Sequence, residues 1–297
     1  MGAIVVTFGE IWRARAYAAR RALVVWCACA TLGGCAWLDY KQRELVYRPT
    51  PGRPASFVGL RAGDSMTTLD VPGEDGRVEH LQLWWLPRPE TTAPTLLYLH
   101  GTFRNLFQNQ RKIEALRNAG FSVLAVEYRG WGESSPIVPS EATIEADAAR
   151  AWAELTAHQR VPGRRVIYGH SMGTGVAVDL ASRLHAGLDY GGLILESSFT
   201  RLPDVAKANG VVGTVASWFA TQEFDSLSKI GRVDAPILMM HGASDATVPI
   251  ALGHRLYEAA PPGTVWVSFP EGSHSGLDQD DPQAYRRAVQ GLIQRLP

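Results

Sequence analysis

VIYGHSMGTG, residues 166–175, passes from a β-branched and aromatic run into glycines that surround a single serine. An apolar run that ends in Gly169-His170-Ser171-Met172-Gly173 and continues as MGTGVAVDLASRLHAG reads as strand, sharp turn and helix. Glycines at 169 and 173 let the turn tighten without a Cβ clash and lift the Ser171 hydroxyl to the carboxyl edge of a sheet. The helix that follows points its N-terminal amides at the same place, where they favour negative charge. A phosphate loop would need Gly-Lys, and the spacing of Gly169, Gly173 and Gly175 does not match the dinucleotide G-x-G-x-x-G.

Working outward, FSVLAVEYRG, RRVIYGH, GGLILESS, APILMMHG and TVWVSFPEG are short apolar runs, each closed by glycine or polar residues. Runs without polar alternation belong to a parallel sheet covered on both faces. LQLWWLP and TLLYLH precede them and read as neighbouring strands joined by a proline-containing turn. Helix-length segments alternate with the strands: LFQNQRKIEALRNAG, SEATIEADAARAWAELTAH, ALGHRLYEAAP and DPQAYRRAVQGLIQRL. Ser140, Gly120, Gly187 and the Asp281-Pro282 pair mark helix ends. The pattern predicts an α/β protein with a doubly wound, mostly parallel sheet and an antiparallel N-terminal edge. Residues 199–230 break the rhythm and are too long for a simple loop, so a small helical cap is expected there.

A serine hydroxyl attacks a carbonyl only if a base takes its proton. His274 lies in Gly272-Ser273-His274-Ser275-Gly276, a Gly/Ser-rich loop just beyond the last strand, which is where such a base belongs. Asp245, in ASDATVP beyond APILMMHG, falls between serine and histidine in chain order and is the candidate acid. Glu196, which closes GGLILESS, is its rival. His170 belongs to the turn but projects away from the base position, and reads as a residue that packs or supports the site; His100 and His241 each end a strand before glycine and read as structural hydrogen-bonding groups. His80, His158, His185 and His254 sit in strands or helices as ordinary surface residues. An oxyanion needs two amide donors: Met172 after the nucleophile, and Thr102 in LHGTF, with Phe103 as the alternative. Gly101 would allow that loop to approach closely.

Together HGT, EYRGWGESS, GHSMG, FDSLSKIGRVDAPILMMHGASDATVP and GSH resemble the α/β-hydrolase superfamily over residues 57–297. They are similar in particular to its lysophospholipase and acyl-protein-thioesterase-like group of membrane-associated serine hydrolases. That group often carries Asn and small residues after the His-Gly pair, where this chain has Thr102, Phe103 and Arg104. The resemblance implies the α/β-hydrolase fold and hydrolysis of an ester or thioester through an acyl-enzyme on Ser171. The chemistry calls for no cofactor and no metal, and H-e-x-x-H-type metal signatures do not occur. A peptidase of the same fold, or a non-catalytic binding protein that keeps it, are the alternatives.

The 297 residues carry no net formal charge, and the body has no basic run, so nucleic acid is not an expected partner. All three cysteines, Cys27, Cys29 and Cys35, lie within the first 35 residues, which leaves the body without disulfide or thiolate chemistry. Four arginines between Arg13 and Arg21 precede the uncharged ALVVWCACATLGGC, the order of a secretory signal. Leu32-Gly33-Gly34-Cys35 resembles a bacterial lipoprotein box with Cys35 as the lipidated residue. An uncleaved signal anchor is the other reading, because the apolar run from Ala22 to Leu38 is just long enough to span a bilayer. Residues 36–56, with three prolines, then read as a tether to a domain over 57–297. The expectation is a membrane-anchored enzyme facing the periplasm or cell exterior, acting on a small-molecule or lipid acyl ester.

Overall fold

The computed structural model describes residue 34 and residues 36–210, 213 and 220–297. Eight strands form one sheet in the order β1-β2-β4-β3-β5-β6-β7-β8. The strands are β1 (Ser65–Pro72), β2 (Val78–Leu86), β3 (Thr95–Leu99), β4 (Ser122–Glu127), β5 (Arg165–His170), β6 (Gly192–Glu196), β7 (Ile237–Gly242) and β8 (Val265–Phe269). β1 pairs antiparallel with β2, and β2 antiparallel with β4; every pairing from β4 through β8 is parallel. The doubly wound sheet with an antiparallel edge is therefore as expected. LQLWWLP and TLLYLH are not neighbours, however: β4 lies between them. After β3 the chain returns through a helix and inserts its next strand at the inner edge of β2, a crossover that local sequence pattern does not encode.

Helices cover both faces: α1 (residues 36–47), α2 (Leu106–Ala119), α3 (Glu141–His158), α4 (Met172–Ala181), α5 (Leu202–Ala208), α6 (Ile250–Glu258), α7 (Leu277–Asp280) and α8 (Pro282–Ile293). Alternate residues of each central strand feed two separate cores. Leu97, Leu99, Ile167, Leu193 and Met239 pack under α3 and α4, while Leu96, Tyr98, Val166, Ile194 and Met240 pack under α2 and α8. That double burial is the physical reason the strands read as unbroken apolar runs.

The helix ends follow the side chains. Ser140 caps α3 by accepting from the Thr143 amide, Gly120 ends α2 at φ 132°, and Asp281 caps α8 with Pro282 at its first position. Helix α4 stops at Ala181, short of Gly187, which sits at φ 75° in a following turn. In the segment expected as a cap, residues 199–230, α5 is short and residues 222–226 lie against the body; Val211, Val212, Val215, Trp218 and Phe219 lie outside the described residues. The segment expected as a tether is helical over 36–47 and ends in Tyr47, which is fully buried.

Candidate active site

The backbone between β5 and α4 makes the turn that the glycines permit. Ser171 sits at φ 54° and ψ −124°, a conformation that a non-glycine residue holds only when its surroundings fix it. Its amide donates to the Glu196 carbonyl at 3.0 Å, which ties the turn to β6. A Cβ on Gly169 would overlap the Gly173 carbonyl, and one on Gly173 would overlap the Leu99 carbonyl, so only glycine fits either position.

The three residues picked from separate loops meet here. His274 Nε2 is 2.9 Å from Ser171 Oγ, and His274 Nδ1 is 2.7 Å from Asp245 Oδ2. With Nδ1 protonated against the carboxylate, Nε2 is the acceptor for the serine proton. Asp245 is buried, and burial alone would raise its pKa. Hydrogen bonds from His241 and His274 and the His274 charge outweigh that and hold it well below the usual carboxylate range. Its other oxygen accepts from the Thr247 and Val248 amides, both at 2.8 Å. Glu196 is not in reach of this imidazole: it is buried with Lys112, Tyr168 Oη at 2.6 Å and Tyr285 Oη at 3.1 Å.

The loop after β3 that carries Gly101, Thr102 and Phe103 closes over the serine. A Cβ built on Gly101 would lie 2.9 Å from Ser171 Cβ, so the loop and the turn touch through a missing side chain. Thr102 lines the cavity at Ser171 together with Met172. Among the described residues neither the Thr102 nor the Phe103 amide donates to a protein acceptor.

Three further residues hold the site together, and of these only Ser197 has no reading in the sequence. Ser197 Oγ and His170 Nε2 both donate to the His274 carbonyl, each at 2.9 Å, and so clamp the loop that carries the imidazole. Burial, with the charges of Lys112 and His274, pushes His170 well below the ordinary histidine value, so it stays neutral. His241 Nε2 donates to the Val248 carbonyl at 2.9 Å and lies 3.3 Å from Asp245 Oδ2, which braces the acid. A carbonyl that accepts two donors from other strands leaves no periodic signal. His100 is structural, as expected, with Nδ1 at 2.6 Å from the Gly101 carbonyl and Nε2 at 3.3 Å from Glu127.

Two cavities open from Ser171. One, about 390 Å³, has a mixed wall that includes Arg104, Asn109, Ser273 and Ser275. The other, about 360 Å³, is mainly apolar, with Val46, Met172, Phe199, Leu202, Val205 and Val248. Among the described residues no cluster of His, Cys, Asp or Glu is arranged to hold a metal ion. No described helix is long and apolar enough to cross a membrane, and Cys35 lies outside the described residues.

An uncharacterized protein of Mycobacterium tuberculosis (strain ATCC 25618 / H37Rv) is 31% identical over 251 residues, 82% of each chain. Residues 91–228 match the family model described as serine aminopeptidase, S33. The Pyrococcus furiosus esterase Pf2001 superposes with a TM-score of 0.65 over 84% of this chain and 99% of its own, at 17% identity, which speaks to fold. The chain belongs to the α/β-hydrolase superfamily. This α/β-hydrolase is also 32% identical over 193 residues to a lysophosphatidylserine lipase, ABHD12, of Danio rerio. That match takes in 60% of this chain and half the length of the fish lipase. The α/β-hydrolase assignment accounts for the strand order and for the position of Ser171 between a strand and a helix.

Proposed function

We propose that this α/β-hydrolase cleaves carboxylic esters or thioesters through an acyl-enzyme on Ser171. The observation that carries the reading is the continuous chain of contacts from Ser171 Oγ through His274 to Asp245. In the first step His274 Nε2 takes the serine proton as Oγ bonds to the acyl carbon, and the carbonyl π pair moves onto oxygen. The Met172 amide and the Thr102 amide, with Phe103 the alternative, hold that oxyanion, while Asp245 stabilises the imidazolium. The tetrahedral adduct collapses, His274 returns the proton to the departing alkoxide or thiolate, and the acyl group stays on Ser171. Water then repeats the sequence, losing its proton to His274, and releases the carboxylic acid.

The apolar cavity suits an acyl chain, and the mixed one, with Arg104 and Asn109 in its wall, suits a leaving group. The names of a lipase and an esterase among the relatives favour an ester over an amide. An aminopeptidase would need a carboxylate to receive the substrate's α-ammonium. Among the described residues lining both cavities there is none; Arg48 and Arg104 stand there instead. A lipid acyl ester drawn from a membrane fits these walls, with the chain held at the bilayer by lipidation of Cys35 or by the apolar segment before it. The domain would then face the periplasm or cell exterior. Mass spectrometry of the N-terminus in membranes decides between a diacylated Cys35 and a retained segment with Arg20 and Arg21. A panel of p-nitrophenyl esters of increasing chain length, a lysophospholipid, a thioester and an aminoacyl anilide tests the substrate class. Turnover of esters that peaks at an intermediate or long chain is expected. Preference for the anilide would refute it.

A further inference from the structure

Residues 46–52, from the last turn of α1 into the link to β1, touch the site from outside the region that resembles a hydrolase domain. Val46 and Arg48 form part of the apolar cavity wall beside Phe103 and Ser171. Between them Tyr47 is locked into the core. Its ring meets Trp131 and Phe224 edge-on at 6.4 and 6.3 Å, and its hydroxyl donates to Gln222 Oε1 at 2.7 Å. The chain then crosses the oxyanion loop. Arg48, itself at φ 44°, lays its guanidinium 4.9 Å from the Phe103 ring centroid. Thr50 Oγ1 lies 2.9 Å from the Phe103 carbonyl and 3.2 Å from that of Arg48; its one hydrogen favours the shorter contact. The strap is itself pinned on its far side. Asn105 Nδ2 donates to the Thr50 and Gly52 carbonyls at 3.2 and 3.1 Å, and the Gly132 amide donates to the Thr50 carbonyl at 3.0 Å.

Phe103 needs such support. It holds φ 70°, a left-handed conformation that a bulky side chain keeps only when its neighbours over-determine it. Gly101 fixes one end of the loop against Ser171, and the Phe103 carbonyl fixes the other. The peptide planes between these two points carry the Thr102 and Phe103 amides.

We propose that Thr50 and Arg48 are positioning residues for the oxyanion loop, so that the segment leading from the membrane anchor is a working part of the site. The inference rests on the hydrolase reading above. Thr50 acts by holding the Phe103 carbonyl, which aims the preceding amides at the oxygen that becomes negative. Arg48 acts by covering the Phe103 ring and holding its backbone in the left-handed region.

The test uses the full chain with Thr50→Val, which keeps the shape and deletes the donor, and Thr50→Ser, which restores it. Steady-state hydrolysis of a p-nitrophenyl ester and inhibition by an acyl trifluoromethyl ketone, whose adduct places an oxyanion in the hole, are measured beside thermal midpoints. Thr50→Val is expected to lower kcat about tenfold, the size of one lost hydrogen bond, with KM within about twofold. The ketone should bind weaker by a similar factor, and Thr50→Ser should stay close to wild type. Arg48→Ala, an exposed position whose change leaves the core intact, should lower kcat about threefold. Wild-type kinetics in Thr50→Val, equal loss in Val and Ser variants, or a loss confined to KM with unchanged ketone affinity would each overturn the positioning role. A wild-type chain that neither turns over an ester nor binds the ketone would instead refute the hydrolase reading, and the positioning role with it.

Discussion

Replacing Gly101 by alanine probes the contact between the loop after β3 and Ser171. The added methyl would lie 2.9 Å from Ser171 Cβ, 3.2 Å from the His170 carbonyl oxygen and 3.4 Å from His170 Nδ1. Carbon atoms settle at about 3.5–4.0 Å, so loop and turn must part by roughly 0.5–1 Å. Gly101 is not in the left-handed region, so the methyl itself is the whole perturbation. Overpacking of this kind costs about 1–3 kcal/mol, a fall in Tm of about 2–4 °C per kcal/mol for a domain of this size. The catalytic loss should be far larger in proportion, because withdrawing one oxyanion donor costs about 10²–10³ in kcat. The assay is steady-state hydrolysis of a short-chain p-nitrophenyl ester, with thermal denaturation run on the same samples. A kcat about 10²-fold lower with a similar KM and a modest Tm shift is expected. A kcat within threefold of wild type would refute the idea that this loop supplies an oxyanion donor.

Asp245→Asn keeps the shape but favours the wrong imidazole tautomer, so kcat should fall by at least about 10²-fold while KM moves little, as steady-state kinetics would report. In the native state His170 is held neutral, whereas the unfolded chain takes up its proton below about pH 6.5. Stability should therefore fall as pH drops below that value, and His170→Gln should flatten the slope in denaturant midpoints measured from pH 7 to 5. Lys112 is buried with Glu196 and Asp278. Lys112→Met strands their negative charge and should cost about 3–5 kcal/mol in urea unfolding.

Much of this architecture could be read from local signals. The unbroken runs in β3 to β7 reported burial on both faces, and the glycines at 169 and 173 reported the turn that the backbone makes. Glu196 and Asp245 both fall between Ser171 and His274 in the chain; the loop beyond the next-to-last strand favours Asp245, and the structure puts Glu196 with Lys112 and two tyrosines. What escaped was long-range. The insertion of β4 between β2 and β3 depends on a crossover that leaves no mark in either strand. Ser197 acts on the His274 carbonyl more than seventy residues ahead, so nothing in its own neighbourhood distinguishes it, whereas His170 stands beside Ser171 in the turn itself. Tyr47 sits in a proline-flanked, weakly periodic stretch that reads as a connector, yet its ring fills a gap between Trp131 and Phe224. Packing against a distant partner overrides local composition there.

The central claim is that Ser171 is the nucleophile, and covalent trapping tests it most directly. The full chain is treated with an alkyl fluorophosphonate, digested, and the modified peptide sequenced by mass spectrometry, with Ser171→Ala and His274→Ala treated in parallel. One stoichiometric adduct on Ser171 is expected, with none in Ser171→Ala and labelling slowed by orders of magnitude in His274→Ala. Equal labelling of wild type and Ser171→Ala, or an adduct on another serine, would contradict it.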